Sequence, residues 1–109
     1  MSDELTSMKC SACVGAEAPL GPEEQQKLLA QLPDWTIVDG HHLQRHYAFK
    51  NYKSTLAFVN EAAAVAETVK HHPNISFTWG KATVEIWTHS VNGLTEADFV
   101  LAAKIGQIG

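Results

Sequence analysis

Residues 75–86 read Ile75-Ser76-Phe77-Thr78-Trp79-Gly80-Lys81-Ala82-Thr83-Val84-Glu85-Ile86. Apolar Ile75, Phe77 and Trp79 alternate with polar Ser76 and Thr78, the period of a strand with one buried face. Gly80-Lys81 then offers a two-residue turn with glycine where positive φ is needed. A second strand follows, with Val84 and Ile86 on one face and Glu85, Trp87 and His89 on the other. A turn this tight forces the two strands antiparallel. The same signal recurs upstream, where Asp39-Gly40 separates Trp35 and Ile37 from Leu43, Tyr47 and Phe49. Between the hairpins, Asn51 is a natural N-cap for a long helix running to about Lys70. Its apolar stripe is Tyr52, Leu56, Val59, Ala63 and Ala66, widened by Phe58, Ala62, Val65 and Val69. Pro73 disfavours helical geometry at His72 and sets the end.

Working outward, Gly21-Pro22-Glu23-Glu24 starts a first helix, with proline at the first helical position, acids in the first turn and Pro33 as the stop. Asn92-Gly93 breaks the fourth strand, and a last helix runs from about Thr95 to Gly106. The order is αββαββα. Three helices need one apolar face to cover, so the expected fold is α+β, a four-stranded antiparallel sheet with three helices packed on one side.

The whole chain is 109 residues, short enough for a single domain, and 45% hydrophobic residues suffice for a core. Eight Lys and Arg against twelve Asp and Glu give a net charge of -4, which argues against nucleic acid or anionic lipid as a direct partner. Apolar runs such as Ala62–Ala66 reach five residues, far below the ~18 of a membrane span. Asp3 and Glu4 near the start do not suit a secretory signal, so a cytoplasmic location is expected. Residues 1–20 lack apolar periodicity and read as a flexible leader before a domain over 21–109. Cys10 and Cys13 in that leader are half of a zinc site with no second Cys-x-x-Cys, and read as free thiols.

Histidine is the residue type that offers chemistry. Glu67 lies four residues before His71, so the two share a helix face and the carboxylate is expected to orient the imidazole. Pro73 sends His72 in another direction, so the adjacent pair can reach different atoms of one ligand. His89 lies near the fourth strand's end, beside Thr88, and joins a site only if it meets the pair in space. Thr95-Glu96-Ala97-Asp98 has capping-box spacing, which gives Asp98 a structural reason to exist. Trp87 shares the His89 face and suits either plain packing or stacking on a flat heterocycle. His41, His42 and His46 flank the first turn without a nearby acid and read as solvated.

The segments Glu67-Thr-Val-Lys-His71-His72-Pro73, Val84-Glu-Ile86-Trp-Thr88-His89 and Gly93-Leu94-Thr95-Glu96-Ala-Asp98 closely resemble the pterin-4a-carbinolamine dehydratases. The resemblance extends through Trp35 and Tyr47-Ala-Phe49-Lys50-Asn51-Tyr52 and covers roughly residues 21–106. It implies the same αββαββα domain and a hydro-lyase that dehydrates 4a-hydroxytetrahydropterin to quinonoid dihydropterin, recycling the cofactor of aromatic amino acid hydroxylases. It places catalysis on His71, His72, His89 and Glu67, and pterin contacts on Lys70, His71, His72, Pro73, Trp87, Thr88, His89, Ser90 and Asp98. Trp87 and Ser90 differ from animal members, and Asp98 is expected both to cap the last helix and to line the pocket. No metal and no cofactor beyond the pterin substrate is implied. A homo-dimer or homo-tetramer is expected, the long helix offering an apolar surface. Animal relatives also act as dimerisation cofactors of a homeodomain transcription factor, so the competing reading is a protein-interaction module without essential catalysis. A zinc protein using the cysteines and histidines is the other alternative.

Overall fold

A computed structural model describes residues 19–108. Helix α1 (Pro22–Leu29) leads into the hairpin of β1 (Thr36–Val38) and β2 (His42–Ala48). Helix α2 (Tyr52–Val69) precedes the hairpin of β3 (Asn74–Phe77) and β4 (Lys81–Ile86). A short 3-10 turn (His89–Val91) and helix α3 (Glu96–Gly106) complete the fold. The strands lie in the order β1-β2-β4-β3, every neighbouring pair antiparallel. The two β hairpins therefore meet through their second strands, with Leu43 opposite Ile86 at the join. This is the expected α+β architecture.

Local chemistry accounts for most boundaries. Pro22 opens α1 beside acidic Glu23 and Glu24, and Asn51 caps α2 by accepting from the Ser54 amide at 2.8 Å. Asp39 and Gly40 both take positive φ, 54° and 65°, as a tight turn matching strand twist requires. The second turn departs from expectation. Thr78 N–H bonds to Lys81 O at 2.8 Å, so Trp79-Gly80 forms the loop, and Gly80 is not among the positive-φ glycines. Glycine is needed there for space: a Cβ would lie 2.9 Å from the Phe49 carbonyl oxygen, and the Phe49 amide donates to Gly80 O at 2.7 Å.

The core sits between the sheet and the helices. Leu43, Val84 and Ile86 face Phe58, Ala62 and Ala66 of α2 and Phe99, Val100 and Leu101 of α3. Eight of the eleven residues of α3 are buried, so this helix is apolar nearly all round and forms the centre of the helical layer. The buried stripe of α2 is Thr55, Phe58, Ala62 and Ala66, rotated from the expected one, and Tyr52 and Leu56 are exposed. Thr55 hid this from a hydropathy reading. It is fully buried because its hydroxyl donates to the Asn51 and Trp79 carbonyls at 2.9 and 3.0 Å. The far face of the sheet is polar, with Gln44 bonded to Glu85 and His46 to Thr83 across the strands.

Candidate active site

The site begins where α2 ends. Lys70 adopts a left-handed conformation, φ 57° and ψ 35°. The His71 amide then reaches back to Ala66 O at 3.2 Å and the Lys70 amide to Glu67 O at 3.3 Å. This pair of bonds is a Schellman motif, made without the usual glycine. The helix is therefore over before His71, and the i,i+4 relation to Glu67 does not apply. Glu67 accepts from His72 Nε2 at 2.9 Å and from Lys70 Nζ at 3.4 Å. The expectation that Glu67 orients His71 is thus corrected. Hydrogen bonds from His72 and then Lys70 hold the Glu67 carboxyl below the ordinary carboxylate range.

His71 turns inward to Asp98. Its Nε2 lies 2.5 Å from Asp98 Oδ1, with the Asp98 side chain wholly buried. Asp98 belongs to the first turn of α3 and keeps its capping role, its Oδ2 accepting from the Thr95 amide at 2.8 Å. The same oxygen accepts from Thr88 Oγ1 at 2.8 Å, and Thr88 and Thr95 hydroxyls pair at 2.8 Å. Thr88 is fixed because its amide donates to Gly93 O at 2.8 Å while the chain loops through the 3-10 turn between them. Four residues from three parts of the chain so build one network around a buried carboxylate. A buried carboxylate needs this: isolated from water, its charge is tolerated only with several donors.

Asp98 acts only as an acceptor when ionised, so the His71 proton facing it resides on Nε2. The lone pair of the neutral ring is then on Nδ1, the nitrogen left to give or take a proton. His72 is exposed, as are Lys70, His89 and Ser90, while Pro73 and Trp87 are half-buried. His89 stacks on Trp87, ring centroids 4.4 Å apart and planes 20° from parallel. The flat ring against this indole is thus an imidazole of the chain itself. The predicted residues form three groups: Glu67, Lys70 and His72 outside, His71, Thr88 and Asp98 inside, and Trp87 with His89. Thr95 beside Asp98 belongs to the inner network as a second threonine hydroxyl, a role its capping spacing alone did not reveal. Among the described residues, no group of three or more His, Cys, Asp or Glu side chains is placed to hold a metal ion. Cys10 and Cys13 lie outside the described residues.

A sequence profile of the family described as "Pterin 4 alpha carbinolamine dehydratase" matches residues 18–108. The chain belongs to this family. A Rubrobacter xylanophilus protein named "Putative pterin-4-alpha-carbinolamine dehydratase" is 46% identical over 96% of this chain and 98% of its own length. A Rickettsia canadensis protein of the same name is 49% identical over 93% of this chain and 94% of its own. The crystal structure of a Brucella melitensis "transcriptional coactivator/pterin dehydratase" superposes with a TM-score of 0.78 at 34% identity, covering 83% of this chain and 97% of that one. For this member of the pterin-4a-carbinolamine dehydratases, the match contains all three residue groups, and no helix among the described residues is long and apolar enough to cross a membrane.

Proposed function

We propose that the protein is a 4a-hydroxytetrahydropterin dehydratase acting by histidine general acid/base catalysis. The observation that supports this most is the buried Asp98 carboxylate holding Nε2 of the half-buried His71. In the reaction a proton is delivered to the C4a hydroxyl, the C4a–O bond breaks to release water, and the N5–H proton is lost as the C4a–N5 double bond forms. One group must donate near the oxygen and another accept near the nitrogen. Imidazole serves either role near neutral pH. His71 exchanges its proton at Nδ1, with Asp98 in the orienting position that the sequence spacing had given to Glu67. His72, with Glu67 against it, binds the pterin, and His89 serves the other part of the ring. Lys70, Pro73, Thr88 and Ser90 border the pterin, which is the substrate, with no resident cofactor or metal in the step. The setting is the cytoplasm, where the quinonoid dihydropterin product is reduced for reuse by aromatic amino acid hydroxylases.

Stopped-flow loss of a freshly generated 4a-carbinolamine tests the proposal. His71→Ala should slow turnover by ~10² to 10⁴ fold, and a variant as fast as the parent removes His71 from the mechanism. His72→Ala should raise KM; a fall in kcat with KM unchanged removes the binding role.

A second reading, a protein-interaction role, has its own observation. Tyr52, Leu56, Phe77 and Trp79 are all exposed, and the Tyr52 and Phe77 rings lie 6.1 Å apart. We place self-association into a homo-dimer or homo-tetramer on this patch. Light scattering of Trp79→Ser with Tyr52→Ser should report a smaller particle. Stoichiometric capture of a partner protein that His71→Ala leaves intact favours the interaction role over catalysis.

A further inference from the structure

His89 is exposed at the start of a three-residue turn, a poor place to hold an acid/base group. An imidazole free to rotate in water spends little time aimed at a reacting atom, and misplacement by about 1 Å can cost 10² fold in rate. The surroundings of His89 correct this in two layers. The first is the indole of Trp87, stacked at 4.4 Å and 20°. An indole face attracts a flat ring by dispersion, and attracts the cationic form further through its quadrupole. The second layer holds the indole and the turn. His41 and His42 lean on Trp87 with centroids at 5.2 and 5.8 Å. His41 Nε2–H donates to Asn92 Oδ1 at 2.9 Å. Asn92 closes the 3-10 turn in left-handed geometry, φ 50°, with its amide bonded to His89 O at 3.2 Å. A single bond across 51 residues of sequence thus ties the β1–β2 turn to the turn that carries His89.

His41 Nδ1 and His42 Nδ1 lie 3.1 Å apart, one ring donating to the other. His42 Nε2 is buried 3.4 Å from Glu85 Oε2, and Glu85 accepts from Gln44 Nε2 at 3.0 Å. The titratable groups behind Trp87 are therefore His41, His42 and Glu85.

We propose that Trp87 is a positioning residue for His89, braced by His41 and Asn92. This rests on the dehydratase reading for its catalytic consequence, while the positioning itself is a property of the fold. Trp87 touches the pterin's partner rather than acting on the reacting atoms.

The test uses the full chain with Trp87→Leu, Trp87→Phe, His89→Ala and the double variant Trp87→Leu/His89→Ala. Proton NMR of the parent should show the His89 ring protons displaced upfield by the indole ring current. Phe should retain part of that displacement and Leu should abolish it; unchanged His89 resonances in Trp87→Leu overturn the positioning. In the 4a-carbinolamine assay Trp87→Leu should lower kcat by roughly 10 fold with KM little changed, and Trp87→Phe should recover most of it. On the His89→Ala background Trp87→Leu should do nothing more, because a residue acting through another loses its effect once that partner is gone. Multiplying losses overturn the proposal and give Trp87 a direct role. A parent without turnover refutes the dehydratase reading instead, and the NMR arm still decides whether Trp87 fixes His89.

Discussion

His71 and His72 are neighbours in sequence, and each meets a carboxylate, yet the two pairs live in different media. The His71–Asp98 side chains are 12% and 0% exposed, the His72–Glu67 side chains 63% and 66%. Asp98 is wrapped by further buried donors, Thr88 and the Thr95 amide, whereas the further donor to Glu67 is the exposed Lys70 ammonium at 3.4 Å. A charge-assisted bond in a dry site is strong and expensive to break, whereas an exposed pair exchanges freely with water. A carboxylate–imidazole contact therefore has no fixed meaning. The inner pair can hold a geometry, and the outer pair can move with a ligand.

The largest effect should come from Asp98→Ala. It strands the Thr95 amide, the Thr88 hydroxyl and the His71 Nε2–H together, and urea denaturation at pH 7 should show a loss of about 3 kcal/mol. A loss under about 1 kcal/mol would erase the contrast between the pairs. Thr88→Val keeps the shape and removes one donor to Asp98 together with the Thr95 contact. About 1.5 kcal/mol is expected by the same measurement. Thr88→Ser retains the hydroxyl and should restore most of it, which separates the hydrogen bond from side-chain packing.

What the sequence disclosed and what it hid divide along the same line. Caps and tight turns are local, and Asn51, Asp39-Gly40 and Thr95-Glu96-Ala97-Asp98 all behave as their spacing predicts. The histidines and acids of the site were also visible as candidates. Their partners were not, because partners depend on where a helix stops and on what tertiary packing brings near. Nothing at Lys70 signals a left-handed residue, so helical spacing pairs Glu67 with His71 on a helix that has already ended there. Gly80 was legible as a turn glycine but not as the residue that lets the Phe49 carbonyl approach. His41, without an acid nearby in sequence, finds Asn92 at a separation no local pattern reports.

Lys70 is the hinge of the comparison, since its conformation sends His71 inward and leaves His72 outside. A side chain in the left-handed region is strained by contact between Cβ and the carbonyl oxygen. Lys70→Gly should therefore raise stability by about 1 kcal/mol without moving either pair. Scanning calorimetry measures the gain, and two-dimensional NMR of the His71 and His72 rings checks that neither has shifted. A destabilised variant would mean that the Lys70 contact with Glu67 outweighs backbone strain.

The smallest effect should come from Glu67→Gln. At pH 7 its denaturation midpoint should lie only barely below the parent's, because the pair is solvent-screened on both sides. The sign appears only in acid. Bonds from His72 and Lys70 lower the Glu67 pKa in the folded state. Their contribution is therefore present above the unfolded carboxylate value and is lost as pH falls through the folded one. Parent minus variant stability should be slightly positive near neutrality and shrink toward zero as pH falls through the lowered folded value. A difference that grows on acidification, or a neutral-pH loss as large as that of Thr88→Val, would show that the outer pair carries structure as the inner pair does.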